Sequence, residues 1–167
     1  EPLVPSAIIE LLSHQNWADL KLGHDPKFKF DFSRSVYKSI VQFVSFQHGK
    51  EYVIHPLPVN SFAADVNVEK KTVRLSWKDT KDITEPTANP EKYVLYTRIN
   101  NGAFDNGRVV DHNNCEVRLI PGNIYSFKIT AINKGGESFP SEILCAYISP
   151  TENKTKILIV NAFDRLE

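Results

Sequence analysis

The sequence has no excess of charge of either sign and no long apolar run. Its 167 residues include 20 basic and 20 acidic side chains, so the formal net charge is zero. A protein that binds nucleic acid uses a basic surface to attract phosphates, and a transmembrane helix needs about twenty consecutive apolar residues. We therefore expect neither a nucleic-acid partner nor a membrane span.

Methionine is absent, and the histidines show no regular spacing. A chain that starts at Glu1 and contains no methionine indicates a segment of a longer protein, whose start and targeting signals lie upstream. The five histidines do not form an HxxxH or HExxH pattern, which would be typical of a zinc site. We expect no cofactor in this fragment.

The middle of the chain is rich in alternating apolar and polar residues, which is typical of half-buried strands. The prolines of His55-Pro56-Leu57-Pro58-Val59 favour an extended linker before this part. Seven strands are predicted after it: Asn60–Val66, Thr72–Lys78, Lys92–Ile99, Asn106–Asp111, Asn114–Leu119, Ile124–Asn133 and Ser141–Ile148. Seven antiparallel strands in about a hundred residues indicate a two-sheet sandwich.

The turn before the sixth strand carries the most specific pattern in the chain. Tyr125 follows Pro121-Gly122 by three residues, which is the spacing of a tyrosine corner. Together with Trp77 in the second strand and Tyr93 in the third, this pattern resembles the fibronectin type III family. The resemblance covers residues 56–149 and implies an immunoglobulin-like sandwich with Trp77 in its core. It does not indicate a ligand, because this fold serves as spacer, adhesive and receptor module alike.

The same resemblance bears on the two cysteines. It places Cys115 in the fifth strand and Cys145 in the last strand, and these strands normally lie in opposite sheets of the fold. A disulfide requires the two Cα atoms to lie within about 7 Å of each other with suitable geometry. We therefore predict two free thiols.

The segment before the sandwich is predicted to contain one strand and two helices. Ala7–Leu12 is apolar apart from Glu10 and predicts a buried strand. Asn16 is a predicted N-cap for a short helix through Leu22, with Gly23 as its stop. A second helix is predicted over Ser33–Gln47 from apolar residues at helical spacing, namely Val36, Ile40, Phe43 and Val44.

This order of elements resembles the C-terminal end of the zinc-dependent N-acetylmuramoyl-L-alanine amidase family. The resemblance is carried by the strand Pro5-Ser6-Ala7-Ile8-Ile9-Glu10 and by the helix that starts at Ser33-Arg34-Ser35-Val36-Tyr37-Lys38-Ser39-Ile40. It implies that residues 1–55 are the remnant of an α/β domain and that Glu10 matches a catalytic glutamate. Such a carboxylate takes a proton from a zinc-bound water.

The chain also departs from the amidase pattern. It has Leu11-Leu12-Ser13-His14-Gln15-Asn16 where the family usually has Gly-Phe-Leu-Ser-Asn, and the family's zinc ligands lie upstream of these residues. Zinc is therefore expected only in the parent protein. The alternative is that Glu10 is an ordinary strand residue that faces solvent.

The loop after the third strand contains a candidate binding site. Phe104 lies between two Asn-Gly steps suited to tight turns. Its ring is a candidate to stack on a sugar while Asp105 and Arg108 bond hydroxyl groups. The alternative is that Phe104 packs back onto the edge of the sheet.

Residues 150–167 are predicted to form a linker and the first strand of a following domain. The run Ile157-Leu158-Ile159-Val160 is apolar on both faces, which is typical of a central strand in an α/β sheet. The order of a type III module followed by such a strand resembles long secreted proteins of Bacteroidetes described as xanthan lyases or cell-wall amidases. We expect both Ala7–Leu12 and Lys156–Val160 to require partner strands, from the same chain or from a second copy.

The predicted fold is thus mainly β: a seven-stranded fibronectin type III sandwich preceded by a short strand–helix segment and followed by one extra strand.

Three functions stay open: a non-catalytic spacer in a secreted multi-domain protein that degrades cell wall or polysaccharide, a carbohydrate-binding module, or the end of a zinc amidase with Glu10 as its remnant. The fragment itself is not expected to be an enzyme, although its parent is expected to be a hydrolase or lyase. Its expected partners are the flanking domains and a cell-wall glycan or polysaccharide, and its expected location is secreted, periplasmic or on the cell surface.

Overall fold

The structure is a computed structural model that describes residues 4–151. Two helices come first, and strands follow. The bounds are α1 Trp17–His24, α2 Pro26–Gln47, β1 Asn60–Asn67, β2 Thr72–Lys78, β3 Lys92–Ile99, β4 Arg108–Val110, β5 Asn114–Arg118, β6 Ile124–Asn133, β7 Gly136–Glu137 and β8 Leu144–Tyr147. The chain divides into two compact units, with the boundary between Val44 and Ser45 near the end of α2. The predicted strand Lys156–Val160 lies outside the described residues.

The predicted strand Ala7–Leu12 is wrong. These residues have no regular secondary structure, and Ile8 is 91% exposed. A strand is stable only when its backbone N–H and C=O groups pair with those of a neighbour, and no strand in residues 4–151 pairs with this segment. An apolar composition alone does not supply that partner.

The predicted N-cap of α1 is confirmed, but the bounds of both helices differ from the prediction. Asn16 Oδ1 accepts a hydrogen bond from the backbone N–H of Ala18 at 3.0 Å. The helix α1 runs through Gly23 to His24, because one glycine costs a helix only about 1 kcal/mol. The helix α2 begins at Pro26 rather than at Ser33, since proline suits the first helical position and Asp25 Oδ1 accepts from the N–H of Lys27 at 2.9 Å.

The apolar face predicted for α2 is at least partly exposed. Neither helix contains a buried residue, and Ile40, Phe43 and Val44 are all exposed. No helix among residues 4–151 is both long and apolar enough to cross a bilayer.

The predicted two-sheet sandwich is confirmed. One sheet has the strand order β1-β2-β5, and the other has the order β4-β3-β6-β7, with β8 also paired to β6. All pairs are antiparallel. The bounds predicted for β2, β3 and β6 match the structure, while β1, β4, β5 and β8 differ at their ends.

The core lies between the two sheets and is built from inward-facing residues of both. Trp77 is only 3% exposed, as predicted, and its ring meets those of Phe62 and Tyr93 edge-to-face at centroid distances of 6.3 and 5.2 Å. Such aromatic pairs add about 0.5–1.5 kcal/mol beyond the area that they bury. The core is therefore anchored where β1, β2 and β3 meet.

The predicted tyrosine corner is also confirmed. The buried Tyr125 accepts a hydrogen bond at Oη from the backbone N–H of Ile120, at 3.1 Å. The phenol thus ties the first residues of β6 to the turn that precedes them.

Both thiols are free, as predicted. Cys115 lies in β5 of the smaller sheet, and Cys145 lies in β8 of the larger sheet. Burial raises the pKa of the Cys115 thiol, because desolvation disfavours the thiolate.

The last predicted strand, Ser141–Ile148, is shorter than expected, and β7 was not predicted. The chain leaves the sheet around Phe139 and Pro140, where proline has no N–H to donate to a ladder. Two serine hydroxyls replace the missing backbone acceptors: Ser138 Oγ accepts from the N–H of Ala131 at 2.9 Å, and Ser141 Oγ accepts from the N–H of Ile129 at 3.1 Å. The edge of β6 therefore stays hydrogen-bonded across the interruption.

Candidate functional site

The outer face of the larger sheet presents a set of polar and aromatic side chains. On β3, Tyr93 and Leu95 point into the core, so the alternation of the strand turns Tyr96 and Arg98 outward. In the register of β3 with β6, Tyr96 lies opposite Lys128 and Arg98 lies opposite Ser126. Directly opposite side chains on one face lie about 4.5–5.5 Å apart at Cβ, close enough to interact.

Phe104, from the loop after β3, completes a stacked arrangement on this face. Lys128 Nζ lies 5.1 Å from the ring centroid of Tyr96 and 4.7 Å from that of Phe104. Arg98 Cζ lies 5.1 Å from the centroid of the same Phe104 ring. These distances are within the range of cation–π attraction. We call Tyr96, Lys128, Phe104 and Arg98 the cation–aromatic ladder.

Hydrogen bonds fix both ends of the ladder. At one end, Glu137 Oε1 accepts from Tyr96 Oη and from Thr130 Oγ1, each at 2.6 Å. At the other end, Arg98 Nη2 donates to Ser126 Oγ at 3.0 Å. The Arg98 Nε–H is buried and has no acceptor within the part of the chain that the structure describes.

The carboxylate at the end of the ladder changes the acidity of Tyr96. The hydrogen bond to Glu137, together with burial and the negative charge of Glu137, raises the pKa of Tyr96 to about 12. A phenolate next to a carboxylate would lose the hydrogen bond and meet a like charge. Tyr96 is therefore a neutral donor at physiological pH.

The loop that carries Phe104 is held by Asp105. Its Oδ1 accepts from the backbone N–H groups of Thr97 and Gly107, both at 3.0 Å. Gly107 has φ +80°, and a Cβ added there would lie 2.9 Å from Tyr96 Cε1, so this position requires glycine. The carboxylate of Asp105 and the conformation of Gly107 together place Phe104 on the sheet.

The structure brings together only part of the predicted binding site. Phe104 is half-buried on the sheet, which is the arrangement of the alternative interpretation. Asp105 shapes the loop through its backbone hydrogen bonds. Arg108 begins β4 and lies beside the Cys115 thiol of the other sheet. No described contact joins Arg108 to Phe104.

Glu10 is exposed and lies in the irregular segment before α1. The turn that follows this segment is fixed by Asp19 Oδ2, which accepts from the N–H of Ser13 at 3.0 Å. A cavity of about 230 Å³ next to this turn is lined by Leu12, Ser13, His14, Asp19, Leu20, Gly23 and His24. Within residues 4–151, no group of three or more histidine, cysteine, aspartate or glutamate side chains could hold a metal ion.

Sequence reasoning missed Arg98 and its neighbour Lys128 as parts of an outer-face site. The alternation in β3 does show that Tyr96 lies on the face opposite to Tyr93 and Leu95. The pairing of Tyr96 with Lys128 depends on the register between strands that are separated by about thirty residues. A single sequence does not fix that register.

A second polar cluster anchors the segment before the sandwich. Ile54 is 0% exposed; its N–H donates to Thr87 Oγ1 at 3.1 Å, and its carbonyl oxygen accepts from Asn133 Nδ2 at 2.9 Å. The same amide group also donates to the carbonyls of Thr87 and Asn89. A Cβ added at Gly135 would overlap the carbonyl oxygen of Val53. We call Val53–Pro56 the docked segment.

Comparison with known proteins agrees with this architecture. The family model of the fibronectin type III domain matches residues 57–146, which is more than half of the chain. No curated protein sequence is similar enough to count as a match.

Several solved structures are similar to this chain at low identity. The twitchin kinase region from C. elegans is 24% identical, with a TM-score of 0.51, over 61% of this chain and 18% of that one. Titin kinase with its flanking domains is 19% identical (TM-score 0.49), over 57% of this chain and 18% of that one. The fourth FNIII domain of a human protein is 21% identical (TM-score 0.49), over 60% and 84%. This chain thus spans less than a fifth of the first two structures.

The confirmed sandwich, its tyrosine corner and the match of the family model show that this chain belongs to the fibronectin type III family.

Proposed function

We propose that the sandwich is a non-catalytic spacer that fixes the direction in which the preceding chain leaves it. The observation that carries this proposal is the docked segment, whose residue Ile54 is completely buried against the sandwich unit. A spacer joined by a flexible linker would need no such contact, because flexible linkers are solvated and bury little. A buried exit segment fixes the place and direction in which the chain leaves the sandwich.

The docked segment is held by hydrogen bonds to particular side chains. Asn133 Nδ2 contacts the carbonyl oxygens of Ile54, Thr87 and Asn89 at 2.9, 3.1 and 3.2 Å. Thr87 Oγ1, which receives the Ile54 N–H, itself donates to the buried Glu85 carboxylate at 2.7 Å. A partly buried network of this kind is rigid when all its members are satisfied.

The parent protein is proposed to be a secreted multi-domain hydrolase or lyase that acts on cell wall or polysaccharide. This context is supported by the sequence resemblance of residues 5–47 to the end of a zinc amidase, and of the apolar run Ile157-Leu158-Ile159-Val160 to secreted Bacteroidetes proteins. In such a protein, zinc and the substrate would belong to the flanking domains. The spacer would keep those domains at a set distance.

NMR relaxation of the intact chain tests the spacer proposal. In the wild type, the backbone amides of Val53, Ile54 and His55 should be as rigid as those of β6. Asn133→Ala should make these amides mobile on the picosecond–nanosecond timescale, because three carbonyl contacts are lost, while the strands keep their chemical shifts.

Asn101→Ala is the matched control, since Asn101 is an exposed amide in the turn after β3. It should leave the docked segment unchanged. The proposal is overturned if the docked segment is already mobile in the wild type, or if both variants give the same relaxation.

A further inference from the structure

β5 is an edge strand of the smaller sheet, and within residues 4–151 it pairs with β2 alone. Leu119 N–H donates to the Lys71 carbonyl oxygen at 2.8 Å, and Trp77 N–H donates to the Asn113 carbonyl oxygen at 3.1 Å. These bonds show that the odd-numbered residues of β5 turn their backbone groups toward β2, so the even-numbered residues turn theirs toward the open edge. The residues with outward backbone groups are Asn114, Glu116 and Arg118.

The outward N–H and C=O groups of β5 are open to a further strand. Arg108 of β4 lies beside the Cys115 thiol, but no hydrogen bond from β4 reaches the backbone of β5 within residues 4–151. Open backbone groups along an edge are a template on which an extended chain can add a strand. The partner that suits this edge is therefore a β-strand.

The other edges of the two sheets are shorter or interrupted. On β1, Ser61 has φ +51° and the register shifts between Asn60 and Ala63, and such bulges protect an edge from pairing. β4, β7 and β8 contain three, two and four residues. β5 pairs over five residues without a register shift. It is thus the longest uninterrupted edge strand in the described part of the chain.

The order of charges on β5 indicates which strand fits. Glu116 and Arg118 are exposed, on the face opposite to Cys115 and Val117, which pack against the core. Charged residues on an edge usually prevent pairing, because an approaching strand brings unfavourable charges. On β5, however, the two signs alternate. An identical strand that runs antiparallel therefore places Glu116 of each copy opposite Arg118 of the other copy.

This alignment also satisfies the backbone. Glu116 and Arg118 both have outward backbone groups, so a Glu116–Arg118 pair between copies exchanges two hydrogen bonds. A two-fold axis at Val117 produces two such pairs. An alignment centred on Glu116 would instead oppose two carboxylates, which is destabilising.

No acidic residue lies opposite Arg118 in its own chain. Its cross-strand neighbour on β2 is the neutral Thr72, whose Oγ1 donates to Glu116 Oε1 at 2.5 Å. That bond leaves the charge of Glu116 in place. Arg74 lies opposite Glu116, so pairing would put each carboxylate between Arg74 of its own chain and Arg118 of the second copy. The second copy supplies the anion that Arg118 lacks.

We propose that this chain forms a two-fold dimer in which the two β5 strands pair antiparallel and join the smaller sheets of both copies. An edge contact of five residues is smaller than the roughly 1,200 Å² at which stable interfaces begin, so the dimer is weak and depends on concentration. This pairing goes beyond the spacer role. It sets two copies side by side, with their docked segments at opposite ends of the joined sheet.

The test combines sedimentation equilibrium with NMR of the intact, isotope-labelled chain over a series of protein concentrations. The mean mass should rise toward that of a dimer as the concentration increases. The amides of β5 should shift in a saturable way over the same range. The amides of β1, at the other edge of the same sheet, should not shift.

Charge exchange at β5 separates this pairing from general association. Glu116→Arg leaves two positive charges on the strand, and Arg118→Glu leaves two negative charges. Each variant alone should self-associate at least several-fold more weakly than the wild type, because like charges then face each other. An equal mixture of the two variants should dimerise again, since every cross-pair is once more of opposite sign.

Asp65→Arg is the matched control, because it makes the same change of charge at an exposed residue of β1. It should leave self-association unchanged. Chemical shifts of each variant at low concentration check that the sandwich is intact.

The proposal is overturned if neither the mass nor the β5 shifts depend on concentration, or if the mixture associates no better than each variant alone. It is also overturned if Asp65→Arg weakens the dimer as much as Glu116→Arg does. A dimer that responds to neither β5 variant would assign the contact to another surface, such as Ala7–Leu12.

Discussion

Tyr96 and Tyr125 show how one residue type serves two purposes in this domain. Tyr125 is buried in the core and ties the β6 turn to its strand through a backbone N–H. Tyr96 lies on the outer face and donates to a carboxylate. The first role follows from a local spacing in the sequence, while the second depends on which strands are neighbours.

The first prediction concerns the titration of Tyr96. The folded state holds its proton up to a pKa of about 12, whereas the unfolded chain loses it near the ordinary tyrosine value of about 10. The stabilisation is therefore complete below about pH 10 and is lost as the pH rises through about 12. NMR titration of the Tyr96 ring should give a pKa well above the ordinary tyrosine value of about 10.

Glu137→Gln should lower the Tyr96 pKa toward the ordinary value, because the charged acceptor is removed. Glu69→Gln removes an exposed carboxylate in the turn between β1 and β2 and should leave the Tyr96 titration unchanged. An unaltered Tyr96 pKa in Glu137→Gln would show that the hydrogen bond of the ladder does not form in solution.

At the scale of single elements, the alternation of apolar and polar residues predicts a strand well when that alternation is clear within the strand itself. β2, β3 and β6 alternate clearly, and their bounds follow from the sequence. The start of α2 was predicted at Ser33 because the apolar residues at helical spacing begin at Val36, whereas the structure starts the helix at Pro26, where Asp25 followed by proline is a helix-start signal. Ala7–Leu12 was predicted as a strand from composition, but a strand also requires a partner.

The candidate site could be predicted only in part, for the same reason. Phe104 was recognised from its loop, and both of its orientations were considered. The neighbours that decide its orientation, Lys128 and Arg98, come from two strands whose register is set by the packed sandwich. Ile54 was missed as a buried residue because its partner Asn133 lies far along the chain.

The second prediction concerns the interrupted strand between β7 and β8. Ser141→Ala would leave the buried backbone N–H of Ile129 without its acceptor. Ser138→Ala would likewise leave the backbone N–H of Ala131 without its acceptor. An unsatisfied buried donor costs about 1–3 kcal/mol, so each variant should lower the free energy of unfolding by that amount in urea titrations. Ser76→Ala, at a half-buried serine of β2, is the control and should have a much smaller effect.

Equal decreases in the free energy of unfolding for Ser76→Ala and Ser141→Ala would contradict the role of the Ser141 hydroxyl as an acceptor. The loss would then come from the substitution of serine in a strand rather than from the replaced ladder bond.

At the scale of the whole molecule, the two units differ in how their apolar residues are covered. The sandwich unit has a closed core that includes Trp77, Leu75 and Phe127, and such a core unfolds cooperatively. Among residues 4–44, by contrast, no side chain is buried. The stability of the chain should therefore reside in the sandwich.

The last prediction follows from that difference. Chymotrypsin should make its first cuts within residues 4–151 after Leu11, Leu12 or Trp17, because exposed chain without regular structure is the preferred site of nicking, and Trp17 is exposed at the start of α1. Mass spectrometry of the products should show the sandwich intact. The nicked protein should keep the urea midpoint of the whole chain, because these cuts remove no residue of the core. Protection of Leu11 and Leu12, together with a dimer in light scattering, would contradict the prediction, since it would show that Ala7–Leu12 pairs between two copies of the chain.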